Sequence, residues 1–530
     1  MYFFNEMKNT NNWTSTENGA GAYKSTLNSC LDMFGSFGGM RQSSESMVIS
    51  TFRSAFVEYP DFAVKMLFYF RDIRGGQGTR RQFRIAIKWL ATRAPEYVVN
   101  NLDNFLEYGR GDDFLCLLDT PVKADVADFL YKQLREDCRA MKEGKPCSLL
   151  AKWLPSVNCS SAQTKKYAGM LYRAWGWTPR QYRKVLSQVR GYLKVVEQKM
   201  SAKQWTDIKY DEVPSKAAML YSEAFYRHDE NGYADYLLKV ANGDAKVNAG
   251  ALYPYDIVHK IMNGGRSFST KDKILYDALW KRLPNYCADD LETGICVVDT
   301  SGSMSGTPME VAISLGMYCA DKCRGPFAGK FITFSARPQL QEVKGADIIE
   351  KVRNMQYADW EGSTNLEAVF DLMLCTAIQN KTPKVDMPQK LYIISDMQFN
   401  EARGVGRYYS GYGYCGCMNT KTFMQAMKQK YIAAGYDMPT IVYWNVRASQ
   451  CGMFQQTFGG ENCCMVSGYS PSLFKAIIEG TTYEEETMTA VADDGIVTQE
   501  QTLKAVVDPM TVMKTAVNAE RYDRVWVKNR

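Results

Sequence analysis

Asp299, Ser301 and Ser303 follow one another at intervals of two residues, directly after the short apolar stretch Gly294–Val298. An apolar stretch that ends abruptly at a polar residue predicts a buried parallel strand, which delivers the next residues to the carboxyl edge of a sheet. Ligand sites of open α/β sheets lie at that edge. One carboxylate and two hydroxyls are oxygen donors suited to a hard divalent cation. Alternatively, these residues form an Asx turn and cap the helix predicted over Met309–Cys323.

This Asp-x-Ser-x-Ser pattern resembles the metal-ion-dependent adhesion site of von Willebrand factor A domains, which also contains a distant Thr and a distant Asp. Thr364 matches the threonine, since its loop opens a helix predicted over Leu366–Ile378. Asp396 matches the aspartate, since it follows an apolar strand predicted over Leu391–Ser395. The five metal-site residues of the resemblance are Asp299, Ser301, Ser303, Thr364 and Asp396.

The resemblance also implies how the site binds its ion. Ser301, Ser303 and Thr364 would contact the metal directly, whereas Asp299 and Asp396 would act largely through water. Because hydroxyls are neutral ligands, the ion would then bind a carboxylate, Asp or Glu, of a protein partner. Mg²⁺ is the implied cation, because it is small and prefers six oxygen ligands. Mn²⁺ and Ca²⁺ are the alternatives.

The segments around these residues alternate between strand and helix patterns. Alternation of this kind predicts a parallel sheet with helices on both faces, which agrees with an α/β, Rossmann-like von Willebrand factor A fold. The further predicted strands are 330–334, 440–446 and 463–466, and the further helices are 347–355, 423–434 and 471–478. The glycine- and tyrosine-rich segment Gly404–Gly416 is predicted to be a surface insertion, and its role stays unassigned.

Upstream of Leu291, helical patterns dominate. Thr-Pro pairs at 120–121 and 178–179 supply an N-cap and a first-turn proline, the second for a helix extending to about Met200. Other helices are predicted at 47–56, 63–70, 82–91, 95–106, 164–175, 214–226, 256–262 and 270–283. About ten helices with short connections suggest stacked helical pairs, an α-solenoid of HEAT-like repeats.

Composition limits the class of protein. The chain has 530 residues, 46% of them hydrophobic and 13% aromatic, which is enough for several globular domains. No apolar run approaches the length that spans a bilayer, so a soluble protein without a membrane role is expected. Fifteen scattered cysteines suggest reduced thiols and a cytoplasmic location. Zinc is disfavoured, because only two histidines are present and Cys415, Cys417, Cys463 and Cys464 lack the usual ligand spacing.

A basic segment lies within the helical region. Residues 151–200 contain ten Lys or Arg side chains against one acid, Glu197, with seven Trp and Tyr residues between them. Cations that neutralise phosphates and rings that stack on unpaired bases together favour single-stranded nucleic acid. The alternative is a solvated helix face whose aromatic residues are core. The candidate RNA-binding residues are Lys165, Lys166, Arg173, Arg180, Arg183, Lys184 and Arg190.

A second basic segment, Arg71–Arg84, places three glycines among five arginines. It lacks the Gly-Lys-Ser/Thr ending of a phosphate-binding P-loop, and no apolar strand precedes it. The favoured interpretation is a turn between two helices, with arginines available to a polyanion as the alternative.

The order of a helical-repeat region followed by an adhesion-site domain resembles that of TROVE proteins, the Ro autoantigen group. Several segments are similar to a related family, domain of unknown function 2828: Phe68–Gly76, Ala151–Ser156, Trp205–Tyr210, Val213–Ser215 and Tyr255–His259. The Ro resemblance implies a ring of HEAT-like repeats that binds small structured RNAs outside and single-stranded RNA ends in a basic channel.

Three segments are therefore expected: a helical-repeat region (1–290), an adhesion-site domain (291–480), and a tail (481–530) that begins with an acidic, mobile stretch and packs back onto the body. The leading functional hypothesis is a non-enzymatic RNA-binding scaffold whose metal site recruits a protein carboxylate. The alternative is a metal-dependent protein-interaction module without a nucleic-acid role. A metal-dependent hydrolase is disfavoured, because the motif lacks a nearby general base. The oligomeric state stays open.

Overall fold

The first half of the chain is mostly helical and is followed by a mixed β-sheet region. The computed structural model describes residues 12–193, 195–265, 267–287, 294–323, 325–334, 337–356, 365–400, 423–450, 452–457, 462–491 and 497–528. At 385, 423–426, 483–491 and 497–505 it describes the backbone alone. No helix in these ranges combines the length and the apolar character needed to cross a membrane.

The helical region begins with a two-stranded hairpin, β1 (Trp13–Ser15) and β2 (Gly21–Tyr23). Its helices are α1 (Ser29–Ser36), α2 (Glu45–Glu58), α3 (Pro60–Arg71), α4 (Arg80–Arg93), α5 (Pro95–Val99), α6 (Asn104–Tyr108), α7 (Lys123–Lys142), α8 (Leu150–Trp153), α9 (Ala162–Ala174), α10 (Pro179–Tyr192), α11 (Val196–Ser201), α12 (Ser215–His228), α13 (Glu230–Asn242), α14 (Pro254–Asn263) and α15 (Thr270–Lys281). Successive helices pack against one another, as α2 does against α3 and α4.

Local chemistry explains where several predicted helices differ from the observed ones. The helix predicted over 95–106 is divided into α5 and α6. The side-chain amides of Asn100 and Asn101 donate to the backbone carbonyls of Glu96 and Tyr97, respectively, and these bonds end α5. The Thr120 hydroxyl donates to the Leu117 carbonyl at 2.6 Å instead of capping α7, which begins later.

A six-stranded sheet forms the second region, in the order β5-β4-β3-β6-β7-β8. The strands are β3 (Gly294–Asp299), β4 (Lys330–Phe334), β5 (Leu340–Glu342), β6 (Lys390–Ser395), β7 (Thr440–Asn445) and β8 (Cys463–Ser467). All neighbours are parallel except β4 and β5. Every residue of β3, β6, β7 and β8 is buried, which explains their continuous apolar sequences.

Helices α16 (Thr307–Lys322), α17 (Ile348–Gln356), α18 (Leu366–Asn380), α19 (Phe423–Ala433) and α20 (Ser472–Glu479) connect or follow these strands. Their side chains form the core with the sheet: the Phe474 ring lies 4.8 Å from that of Trp444 and 5.1 Å from that of Tyr392. The prediction of alternating strands and helices is thereby confirmed at the level of a sheet region covered by helices.

The tail differs from the expected acidic, mobile stretch. It pairs β9 (Thr481–Val491) with β10 (Val497–Val507) as an antiparallel ribbon and ends in α21 (Pro509–Val517). Pairing over eleven residues gives the backbone N–H and C=O groups hydrogen-bond partners in the neighbouring strand. In an isolated acidic segment these groups would bond to water instead.

Near each end of the described chain, residues contact the region formed by the other end. At the N-terminal end, α1 packs on β8, where the Ser467 hydroxyl donates to the Phe34 carbonyl at 2.6 Å. A Cβ at Gly38 would lie 2.2 Å from the Ser467 carbonyl oxygen, so only glycine fits there. At the C-terminal end, Arg521 bonds to buried Asp72 in the helical region. The first described residues thus contact the sheet region, and the last described ones contact the helical region.

Candidate metal centre

The predicted metal residues Asp299 and Asp396 lie at the carboxyl ends of the neighbouring strands β3 and β6. From β3 the chain continues to β4 on one side, and it later enters β6 on the other. A reversal of strand order leaves a crevice outside the carboxyl ends, which is where open α/β sheets bind ligands. The topology therefore brings together two of the loops that were predicted from the sequence to carry the metal site.

Asp299 is fully buried and fixes the start of the first loop. Its Oδ1 accepts the amide of Ser301 at 2.9 Å, and its Oδ2 accepts the hydroxyl of Ser395 at 2.5 Å. This is the Asx turn that the sequence offered as an alternative, and it orients the loop. Because both oxygens are engaged, Asp299 suits an indirect role toward an ion better than direct ligation.

The hydroxyls of Ser301 and Ser303 form a hydrogen bond with each other, with their oxygens 3.1 Å apart. Two adjacent ligands of an octahedral Mg²⁺ at its usual bond length are separated by about 2.9 Å. The serine pair therefore already has the spacing of two cis ligands. In the same loop the buried Thr300 hydroxyl has no hydrogen-bond partner among the described residues, so the loop keeps an unsatisfied polar atom.

Asp396 faces this pair from the second loop. The Ser303 hydroxyl bonds to its carboxylate, and its Oδ1 accepts the amide of Gln398 at 3.2 Å. Arg447, which follows β7, donates to the Ser303 carbonyl. A third loop thus contributes a cation to the rim of the crevice, and no motif in the sequence indicated it.

The electrostatics of the crevice favour binding of a cation. Burial, together with the nearby charge of Asp396, raises the pKa of Asp299 to about 6. The pKa of Asp396 is also raised, chiefly by burial, against the opposing effects of the Ser303 hydroxyl, the Gln398 amide and Arg447. Two buried carboxylates that repel each other are relieved by a divalent ion between or beside them.

The donors described fit a small, hard cation: two hydroxyls at octahedral spacing, with two carboxylates behind them. Thr364, the remaining member, lies outside the described residues, as does the insertion 404–416. Within the ranges that the structure describes, no three His, Cys, Asp or Glu side chains form a metal cluster by themselves. Cys463 and Cys464 are buried on β8, which agrees with buried thiols.

Sequence reasoning missed the contribution of the N-terminal hairpin. Its turn lies on the loop that follows Asp396, and the amide of Glu17 donates to the Gln398 side chain at 2.8 Å. The hairpin lies almost 300 residues before the motif in sequence, and no local pattern connects the two. The hydrogen bonds of the hairpin to Gln398 and Phe399, together with the packing of α1 on the sheet, bring them together.

Most of the predicted RNA-binding residues lie on the surface of α9 and α10. Lys165, Arg180, Arg183 and Lys184 are exposed, and none of the four forms an ion pair among the described residues. Lys166 is exposed but is paired with Asp119 at 2.7 Å. Arg173, also exposed, lies 5.6 Å from the ring centre of Tyr172.

Arg190 has a different environment from the other six. Its guanidinium donates to the carbonyls of Ala151 and Leu154, both at 2.7 Å, and to the Ser156 hydroxyl at 2.8 Å. These bonds connect α10 to α8 and to the segment that follows it. Arg190 is therefore a structural residue, and we leave it out of the basic face, defined as Lys165, Arg173, Arg180, Arg183 and Lys184.

The aromatic residues of this region pack mainly inward. Tyr182 is fully buried, and its hydroxyl donates to the Pro155 carbonyl at 2.9 Å. The half-buried Trp175 donates to the Ala127 carbonyl at 2.8 Å, and its ring lies 5.2 Å from that of Trp177. Tyr182 matches the core alternative, and the other six aromatic residues of the segment are half-buried. Electrostatic contact is therefore the main means of nucleic-acid binding that the face offers.

The glycine-rich segment 71–84 is a turn between α3 and α4, as favoured from the sequence. Arg71 is buried against Asp113 at 2.6 Å, and Arg84 bonds to the same carboxylate at 2.6 Å. Asp72 accepts the guanidinium of Arg521 and the hydroxyl of Tyr522. Arg71 and Arg84 thus serve the fold.

Two family models match the chain. Residues 16–110 and 163–286 match the family described as domain of unknown function DUF2828. Residues 293–517 match the family described as domain of unknown function DUF7788. The similarity to DUF2828 predicted from the helical segments is confirmed, although the segment Ala151–Ser156 lies between the two matched ranges. The relations to TROVE proteins and to von Willebrand factor A domains stay predictions.

One relative is similar over nearly the whole chain. It is described as uncharacterized protein L728 of Acanthamoeba polyphaga mimivirus, and it is 29% identical over 550 residues, which span 97% of this chain and 90% of the relative. The sequence similarity therefore extends over both the helical region and the sheet region of this chain.

Proposed function

We propose that the chain is a non-enzymatic, cytoplasmic scaffold with two binding surfaces. The crevice at the carboxyl edge of the sheet binds a divalent cation, most suitably Mg²⁺, and through it an acidic side chain of a protein partner. The basic face on α9 and α10 binds RNA. In this proposal the sheet region is a von Willebrand factor A domain, and the helical region is a HEAT-like array related to TROVE proteins.

The observation that carries the metal proposal is the 3.1 Å separation of the Ser301 and Ser303 hydroxyl oxygens, with Asp396 bonded to one of them. Ser301, Ser303 and Thr364 would hold the ion, and Asp299 and Asp396 would supply negative charge. The bound ion would supply a Lewis-acidic position for an external carboxylate. The described residues contribute two neutral ligands, which leaves that position electron-poor.

Calorimetric titration with Mg²⁺ and Mn²⁺ tests this site. We expect saturable binding of one ion, and at least a tenfold loss of affinity in the Ser301→Ala/Ser303→Ala variant, because both direct ligands are removed. Ser305→Ala is the matched control, since Ser305 is exposed in the same loop. Equal affinity in all three proteins would contradict the site.

The RNA proposal is supported by four exposed cations on two adjacent helices, Lys165, Arg180, Arg183 and Lys184, none of which is neutralised by an acid among the described residues. Four phosphate contacts to a single strand predict that affinity falls about 50-fold when salt increases fourfold, from a slope of about 0.7 per phosphate.

Fluorescence anisotropy with a labelled oligouridine measures this dependence. We expect the Arg180→Glu/Arg183→Glu/Lys184→Glu variant to lose most of its affinity and most of the salt slope. The control reverses three exposed lysines of the sheet and tail regions, Lys344, Lys475 and Lys514, and changes the net charge equally. Equal losses in both variants would mean nonspecific attraction, and no binding at low salt would favour the metal-dependent protein-interaction module without an RNA role.

A further inference from the structure

The N-terminal hairpin, defined as residues 12–26 with β1 and β2, is bound to the rim of the metal crevice through its turn. The Thr16 hydroxyl donates to the Phe399 carbonyl at 2.6 Å, the Glu17 amide to the Gln398 side chain at 2.8 Å, and the Asn18 side chain to the Gln398 carbonyl at 2.7 Å. Gln398 is two residues after Asp396. The backbone of Glu17 is thus fixed beside the loop that carries a metal-site carboxylate.

The opposite side of the hairpin is bound to the loop that follows β7. Tyr23 and Phe454 exchange two backbone hydrogen bonds, at 2.7 and 3.0 Å. Gln450 in this loop donates to the Glu17 carboxylate at 2.8 Å, and Arg447 in the same loop donates to the Ser303 carbonyl. The hairpin turn therefore lies between two of the loops that surround the crevice.

Glu17 is also distinguished by its exposure, since the bond from Gln450 is the one side-chain contact described for its carboxylate. It is exposed, whereas Ala20 and Ala22 of the same hairpin are buried and anchor it. Glu310 is another acid close to the motif in sequence. Its two carboxylate oxygens already bond to His259 at 2.6 Å and to Asn263 at 2.9 Å, so it is less available to a cation. Glu17 is therefore an accessible carboxylate that the fold holds at the rim.

We infer that Glu17 supplies a carboxylate to the cation site from within the chain, so that an acidic partner binds the ion only by displacing it. The inference depends on the proposed metal function. Its physical basis is the neutral character of the serine ligands, which leaves the ion with a demand for negative charge. A glutamate whose backbone is held in place loses less entropy on binding than a free acidic peptide does, so it competes effectively.

Mn²⁺ binding followed by electron paramagnetic resonance tests the inference in the full chain. We compare the wild type with Glu17→Gln, which keeps the size and removes the charge, and with Glu45→Gln, an exposed glutamate at the start of α2, as the control. We expect Glu17→Gln to weaken Mn²⁺ binding about tenfold and the control to leave it unchanged.

A second measurement separates direct binding from long-range attraction. With Mn²⁺ bound, relaxation of added ¹³C-acetate reports whether a carboxylate can reach the ion. We expect strong enhancement in Glu17→Gln and little in the wild type and the control. Equal enhancement in all three, or unchanged Mn²⁺ affinity in Glu17→Gln, overturns the role of Glu17. Failure of the wild type to bind Mn²⁺ overturns the proposed metal site itself.

Discussion

Replacement of Asp299 by Asn is expected to stabilise the metal-free protein and to abolish its response to Mg²⁺. The pKa of Asp299 increases from 3.8 to about 6 on folding, since burial and Asp396 disfavour the ionised carboxylate. At neutral pH the folded protein nevertheless holds this group largely ionised. At 1.36 kcal/mol per pKa unit, the mismatch of about two units costs about 3 kcal/mol.

The sign follows from proton binding. Between about pH 4 and pH 6 the folded state binds the Asp299 proton more tightly than the unfolded state, so this group's contribution to the free energy of unfolding falls as pH increases. Asparagine does not titrate, so this decrease in the free energy of unfolding is absent in the variant. It also weakens the bonds from Ser301 and Ser395, which costs about 1 kcal/mol. The expected net gain at about pH 7.5 is therefore about 2 kcal/mol.

Urea unfolding in the presence of EDTA measures this difference, with Asp437→Asn, an exposed aspartate far along the chain, as the control. Addition of Mg²⁺ should stabilise the wild type and the control by mass action and leave Asp299→Asn unchanged. The reasoning is refuted if Asp299→Asn is less stable than the wild type at pH 7.5 without metal, or if their difference is the same at pH 4.5.

Two further predictions concern residues that support the surfaces. Arg190→Ala should lower the free energy of unfolding by about 2 to 4 kcal/mol, because the carbonyls of buried Ala151 and Leu154 and the hydroxyl of half-buried Ser156 lose a charged donor. Arg183→Ala should change it by less than about 0.5 kcal/mol and weaken RNA binding instead, and chemical unfolding beside anisotropy distinguishes the two patterns. Gly38→Ala should destabilise the protein by about 2 to 3 kcal/mol, because the new Cβ meets the Ser467 carbonyl, and a thermal melt without a shift would contradict this.

Much of the sheet region could be predicted from sequence, since each buried strand is a continuous apolar run bounded by polar residues. The strand predicted over 330–334 has the bounds that the structure gives, and the strand ending at Ser395 begins one residue earlier than predicted. The neighbourhood of Asp299 and Asp396 followed from the rule that the carboxyl ends of parallel strands share one edge. These predictions succeeded because they depend on short-range patterns and one topological rule.

Where the prediction failed, the structure depends on contacts between distant residues. The ribbon of β9 and β10 is formed by strand pairing across a connection, and the acidic composition of Glu484–Glu486 gave no sign of it. Arg190 resembled its basic neighbours in sequence, and only the position of three acceptors near α8 identifies it as structural. Composition identifies charged residues, but their availability to a ligand is decided by packing.

Contacts near the two ends of the described chain connect the regions that the two family models match. Residues 16–26 of the hairpin lie within the DUF2828 match, and they contact the rim of the proposed metal crevice within the DUF7788 match, through Thr16 and Phe399. In the other direction, Arg521 of the tail donates a hydrogen bond to Asp72 of the helical region. In the proposed function, a cation site whose rim includes Glu17 therefore requires both regions. A binding event at the crevice would therefore act on the anchoring of the hairpin and, through α1, on the packing of the helices.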